Sequence, residues 1–242
     1  ELQSAWVLHT RPYRDTSLIA DLLTRDHGRV SVIAKGVRKS GRSQKNNQRQ
    51  RLNPFIPLLV SCQGRSELKT LTGVETHGHG ELFGGKVLFS ALYLNELLIR
   101  LLPPMDAHPQ VFDHYQQVLR ELGQCSQHAD VDEQYLLECI LRRFEFNFLN
   151  ELGYGIDFLH DCASGKKVLA EHSYSFYPDR GFVLSHEPAI PGAHLLALAD
   201  DTFNSAEVRR TAKYLTRAAL KILLGGKPLK SRDFFQQVRS EE

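Results

Sequence analysis

Seven cations crowd the stretch from Lys35 to Arg51: Lys35, Arg38, Lys39, Arg42, Lys45, Arg49 and Arg51, with no acid among them. Ammonium and guanidinium groups at that density neutralise phosphates, and the released counterions make such contacts favourable and salt-sensitive. Apart from Val37, the rest of the stretch is Gly, Ser, Asn and Gln, a content that excludes a packed core element and predicts a long, mobile, basic loop. A second set, Arg209, Lys213, Arg217 and Lys221, recurs every four residues and predicts one basic stripe on a terminal helix. Arg210 lies beside it. A third, Arg142-Arg143, interrupts an apolar run beside Phe144, Phe146 and Phe148. A cation at the edge of apolar surface suits capture of a peptide carboxylate, with the aromatics taking its side chains.

Other chemistry is thinly represented. His160-Asp161-Cys162, His172 and His77-Gly78-His79 offer metal-ligand types, but no Cys-x-x-Cys pair occurs, and structural zinc wants four ligands in recognisable pairs. Gly225-Gly226-Lys227-Pro228-Leu229-Lys230-Ser231 superficially resembles a phosphate-binding loop. It lacks the Gly-Lys-Ser/Thr and ends a helix instead of opening one. No nucleophile elbow, paired-carboxylate motif or HExxH is present. The reading is of a protein without a catalytic site, metal or cofactor.

The charge distribution agrees. The net charge is +2, but residues 1–80 carry +7, residues 81–204 carry −10 and residues 205–242 carry +5. Basic ends around an acidic middle predict a chain that meets a polyanion with its ends. No apolar run is long enough for a membrane span. The scattered cysteines Cys62, Cys125, Cys139 and Cys162 read as reduced thiols of a cytoplasmic protein.

Five strands are expected to position the basic loop, within residues 1–80. They are Ala5-Trp6-Val7-Leu8, Leu18 to Leu23, Arg29 to Ala34, Phe55 to Val60 and Glu67 to Thr72. Five short strands suggest a small barrel such as an OB-fold, and an SH3-like barrel fits almost as well. The loop joins the third strand to the fourth. Barrel cations Arg11, Arg14 and Lys69 join it as candidate phosphate contacts, and Trp6 and Tyr13 are candidate base-stacking aromatics, with core packing the commoner role for any one aromatic. From Lys86 the pattern turns helical. Helices are expected over Lys86 to Leu102, around Val111 to Leu122, from an Asp130 cap through Leu152, and from a Ser205 cap to Leu224. A short helix over Ser231 to Val238 follows, and His172 to Ser185 reads as a hairpin around Pro178-Asp179-Arg180-Gly181. The expected architecture is α+β and multidomain: an OB-fold β-barrel (1–80), a mostly α-helical domain (81–156 and 193–242), and a small β-hairpin insertion (157–192).

The ordered segments resemble the bacterial RecO recombination mediators. The resemblance rests on Val7-Leu8-His9-Thr10-Arg11-Pro12, Gly28-Arg29-Val30, Ala34-Lys35-Gly36-Val37-Arg38 and Tyr93-Leu94-Asn95-Glu96-Leu97-Leu98. It continues in Leu141-Arg142-Arg143-Phe144-Glu145, Leu152-Gly153-Tyr154-Gly155 and Gly225 to Arg232. It implies an N-terminal OB-fold, a helical domain, and an insertion that is a four-cysteine zinc ribbon in some members. This chain departs there: Cys162 matches a first ligand, Gly165 stands where its partner would be, and no later pair follows. The resemblance also implies binding of single- and double-stranded DNA, strand annealing, and work with RecR and RecF to help RecA replace single-strand-binding protein (SSB). It implies docking of the acidic-apolar SSB tail on the helical domain, with Arg142 and Arg143 as contacts, in the cytoplasm and associated with the nucleoid. The expected DNA contacts are Arg11, Arg14, Lys35, Arg38, Lys39, Arg42, Lys45, Arg49, Arg51, Lys69, Arg209, Lys213 and Arg217. A second reading, an RNA- or tRNA-binding OB protein, stays open, because an OB-fold does not settle the polymer.

Overall fold

A computed structural model describes residues 2–37, 50–125, 132–187 and 189–231. The expected cations Arg38, Lys39, Arg42, Lys45 and Arg49, and the expected cap Asp130, lie outside the described residues. So does the expected last helix beyond Ser231. The chain divides into two compact units, one of Glu1–Gln127 with Leu229–Glu242 and one of His128–Pro228.

The first unit opens with five strands: β1 (Gln3–Tyr13), β2 (Ser17–Thr24), β3 (Gly28–Ala34), β4 (Pro57–Gln63) and β5 (Leu68–Thr76). They close into an OB-like barrel in the order β1-β2-β3-β5-β4, with β3 and β5 parallel and the other neighbours antiparallel. Strand side chains alternate between faces. The inward set, including Val7, Leu18, Ala20, Leu22, Val30, Val32, Leu58, Val60 and Val74, forms one buried cluster. Two long helices follow, α1 (Gly85–Leu101) and α2 (Pro109–Cys125). They belong to the barrel's unit, so the division of the chain falls inside the stretch read from sequence as helical.

Buried polar groups stitch these helices to the barrel. Asn95 Nδ2 donates to the Leu8 carbonyl (2.9 Å), and Tyr115 Oη donates to Asn95 Oδ1 (2.5 Å). Burial pushes the Tyr115 phenol far above its ordinary pKa, so it remains a donor. Trp6, a candidate for base stacking with core packing as the commoner role of such a ring, is 5% exposed and meets Tyr115 edge-on, with ring centroids 6.0 Å apart. Its ring is core. At the β2–β3 turn Gly28 has φ +65°, and a Cβ there would lie 1.6 Å from the Asp106 carbonyl oxygen. Only glycine lets the loop after α1 approach this closely.

The returning segment is gripped by Glu96 of α1. Oε1 accepts from the Lys230 N–H (2.9 Å) and Oε2 from the Ser231 N–H (2.8 Å). The resemblance to a phosphate loop at Gly225–Ser231 thus resolves physically: two backbone donors that could face an anion already face this carboxylate. Burial raises the Glu96 pKa, but the donations from Ser231 and Lys230 and the nearby Arg100 outweigh it and hold the carboxyl below its usual range.

The second unit holds α3 (Glu133–Glu151), β6 (Ser173–Tyr177), β7 (Gly181–Ser185), β8 (Ile190–Pro191), α4 (Gly192–Ala199) and α5 (Ala206–Leu223). The first cap is Asp132, whose carboxylate accepts from the Gln134 N–H (2.9 Å). Ser205 caps α5 as expected, its Oγ accepting from the Val208 N–H at 3.1 Å. The expected hairpin is β6–β7; α4 was not anticipated. Phe182, fully buried, packs in tilted contact with Phe158 and Phe176, in a cluster with Val168, Tyr174, Leu195 and Leu215.

A carboxylate organises the part of this unit where the resemblance raised the expectation of a zinc ribbon. Asp161 is 4% exposed. Its Oδ1 accepts from the Ala163 and Ser164 N–H groups (both 2.8 Å) and its Oδ2 from the Leu184 N–H (2.7 Å). Neighbouring Cys162 is exposed and unpaired, and among the described residues no three His, Cys, Asp or Glu side chains are placed to hold a metal ion. The donor set does not fit zinc. Burial opposes ionisation of Asp161, but the three donors prevail and lower its pKa. A depressed folded pKa contributes stability that is present above the unfolded carboxylate value and lost as pH falls through the folded one. Asp161→Asn is therefore expected to cost about 1–3 kcal/mol at neutral pH. In urea midpoints measured from neutral pH down to about pH 3, the wild type's advantage over the variant should begin to shrink as pH falls below about 4, the ordinary aspartate value. Equal midpoints at neutral pH would contradict this role.

Candidate nucleic-acid interface

Inward packing of β1, β2 and β3 turns their alternate residues outward. At one end this outer face is closed by helix packing, where Trp6 and Leu23 are buried. Towards the other end it carries polar side chains in register. His9 pairs with Asp21 and Asp21 with Ser31, while Arg11 pairs with Ile19 and Tyr13 with Ser17. Asp21 Oδ1 accepts from Ser31 Oγ at 2.5 Å, and its Oδ2 lies 4.0 Å from both His9 Nδ1 and Arg11 Nη1. The carboxylate is largely buried while His9 and Arg11 are more than half exposed. One acid thus underlies two outward-facing nitrogen side chains. Sequence reading missed His9 and Asp21, although the spacing His9, Arg11, Tyr13 on a strand already put three ligand-capable side chains on one face.

The β1–β2 turn adds Arg14, at φ 50°, with its guanidinium 5.2 Å above the Tyr13 ring. Leu18 pairs with Ala34, so exposed Lys35 follows β3 at the same end as this turn. Arg11, Arg14 and Lys35 therefore gather at one end of the sheet, where the basic segment begins. The other expected barrel cations are partly engaged. Arg51 Nη1 donates to the Val74 carbonyl (2.9 Å), and Lys69 Nζ donates to the Gly64 carbonyl (3.1 Å) across the β4–β5 turn. Both are half-buried.

In the second unit the structure redistributes the expected cations. Arg209 is a fastener: Nε donates to Glu138 Oε2 (3.1 Å), Nη1 donates to the Phe203 carbonyl (3.0 Å), and the guanidinium sits 4.7 Å over the Tyr135 ring. A four-residue repeat gains about 40° per step on a helix, so Arg209 and Lys221 point about 120° apart. The exposed row is Arg210, Tyr214, Arg217 and Lys221, and Lys213 is half-buried. Arg142 is 8% exposed. Its Nη1 donates to Thr216 Oγ1 (3.1 Å) and its Nη2 lies 2.8 Å from Glu145 Oε1, which is itself buried. Arg143 is more open, with Nε 2.7 Å from Asp201 Oδ2 and its guanidinium 5.9 Å from the Phe203 ring. The apolar run around these arginines placed them near a surface; it could not show that α5 supplies Thr216 to cover the first.

Two family comparisons settle kinship. Residues 1–79 match the family described as Recombination protein O N terminal, and residues 85–233 match Recombination protein O C terminal. The chain belongs to the RecO family. It is 46% identical over 240 residues to the DNA repair protein RecO of Cellvibrio japonicus (strain Ueda107), covering 97% of this chain and 96% of that protein. It is 42% identical over 238 residues to the RecO protein of Serratia proteamaculans (strain 568), covering 97% and 93%. It is 40% identical over 238 residues to that of Aliivibrio fischeri (strain MJ11), covering 97% and 94%. RecO membership places the chain among DNA repair and recombination proteins. Among the described residues no helix is long and apolar enough to cross a membrane.

The buried Arg142–Glu145 pair of this RecO chain carries a stability prediction. Arg142→Ala strips a buried carboxylate of its facing cation, and breaking such pairs typically costs about 3–5 kcal/mol. Urea unfolding should show a loss of that order. An unchanged midpoint would mean that the arginine is not a structural partner in solution.

Proposed function

We propose that this chain is a recombination mediator that holds DNA by its phosphates and makes or breaks no bonds. The observation that carries the reading is the gathering of Arg11, Arg14 and Lys35 at one end of β1–β2–β3, where the seven-cation segment begins. Each strand bound through such cations loses part of its charge, and two strands so neutralised repel one another less. Pairing of complementary strands, SSB-coated ones included, then meets a lower barrier. Phosphate contacts carry no base information, so sequence preference is slight, and both single- and double-stranded DNA are ligands. Tyr13, half-buried beside Arg14, adds an aromatic edge to the same site.

The remaining parts of the proposal come with family membership. The second unit docks the acidic-apolar tail of SSB, and RecR and RecF join the complex through which RecA is loaded on gapped DNA in the cytoplasm. Arg142 is occupied internally, so Arg143, beside Phe203, is the arginine better placed to receive a tail carboxylate by exchanging it for Asp201. Arg143→Ala is expected to weaken binding of an SSB-tail peptide severalfold and leave naked-DNA isotherms unchanged; an unaltered peptide titration removes Arg143 from the site.

Replacing Lys35, Arg38, Lys39 and Arg42 together by Ala should weaken oligonucleotide binding. It should also reduce the log–log salt slope for single strands by about 3 if each cation meets one phosphate. The same slope in wild type and variant would count against the basic segment. Competition between DNA and RNA strands of matched sequence reads out the polymer.

A further inference from the structure

The terminal helix carries a surface that the barrel reading leaves unused. Along α5, Arg210, Tyr214, Arg217 and Lys221 follow one another at spacings of four, three and four, so they share one face. All four are exposed, and Tyr214 keeps 55% of its surface open. The row spans roughly 16 Å of helix. No acid occurs between Val208 and Ser231; the nearest, Glu207, stands in the first helical turn beside Arg210. Ile222, 56% exposed, and Ala219 lie on a different face, about 120° and 180° round the helix from Arg210, where they form one wall of an open groove of about 420 Å³. Tyr154, Phe176 and Arg180 line it as well.

We propose that this outer face of α5 is a track for single-stranded nucleic acid, with Tyr214 as its stacking platform. The inference rests on the nucleic-acid reading above and adds a second surface, in the second unit, with residues of its own. Arg210, Arg217 and Lys221 supply the phosphate contacts. Tyr214, between two of them, supplies a π-face that any base can use. A duplex keeps its base faces inside its own stack and has nothing to offer an exposed tyrosine in the middle of a basic row. A single strand does. An acidic peptide matches the cations but leaves the central ring without a planar partner.

The test uses the full chain, a fluorescein-labelled oligothymidine and low salt. Tyr214→Ala is expected to lose about tenfold in affinity with an unchanged salt slope, and Tyr214→Phe to restore it. Replacing Arg210, Arg217 and Lys221 together by Ala should lower the slope by about 2. Arg11→Ala with Arg14→Ala, measured in parallel, separates the two surfaces. Oligothymidine isotherms of Tyr214→Ala that superimpose on the wild type's would overturn the inference while leaving the barrel reading standing. So would a triple variant that loses only a labelled acidic peptide and keeps the oligonucleotide. A wild-type chain that binds no oligothymidine at all overturns both.

Discussion

A strand can offer its outer side chains to a ligand only when its inner ones are anchored, and in this chain the anchor is the alternating apolar set of β1, β2 and β3. Val7, Leu18, Ala20, Leu22, Val30 and Val32 bury one face of the sheet inside the closed barrel. A β-bulge between Val7 and His9 then turns His9, Arg11 and Tyr13 to the other face, where strict alternation would have kept them with Val7. A slip of one residue in register would send the cations inward and the valines out. The cations at this end repel one another, and only a packed core can hold such groups close without a ligand. The barrel interior is thus the condition for the phosphate-binding reading.

The acidic middle of the sequence has a different meaning in the structure from the one its charge count suggests. Much of it is spent internally. Glu96 binds the returning backbone at Lys230 and Ser231, Asp161 binds three N–H groups around the insertion, and Glu145 and Glu138 face Arg142 and Arg209. Carboxylates satisfied by backbone or guanidinium donors inside each unit do not compete for cations outside it. Among the described residues, Arg11, Arg14 and Lys35 on the barrel and Arg210, Arg217 and Lys221 on α5 are exposed cations.

How much of this could be seen in the sequence follows from which interactions are local. The strands of the barrel, the long helices and the Ser205 cap were legible because period-two and period-3.6 patterns and an N-terminal hydroxyl act over a few residues. The hairpin around Pro178-Asp179-Arg180 was legible for the same reason. What failed depended on distant partners. The sequence left Trp6 between base stacking and core packing, and α2 decides for the core by bringing Tyr115 against it. Arg142 looked available until α5 supplied Thr216. The basic stripe was drawn through Arg209 because a repeat of four looks straight in sequence and winds on a helix, and Glu138 then claims that arginine. Asp21 and His9 gave no signal, since their proximity arises from pairing between strands and from the bulge after Val7 that alternation does not foresee.

The central claim is that opposite charge brings two polynucleotide strands together on this protein without covalent chemistry. The rate at which complementary labelled oligonucleotides pair in its presence, followed by fluorescence energy transfer across a salt series, tests it most directly. The account predicts pairing far faster than the spontaneous reaction at low salt, fading steeply as salt rises, with both strands recovered intact. Acceleration indifferent to salt, or strands returned shortened or modified, would contradict it.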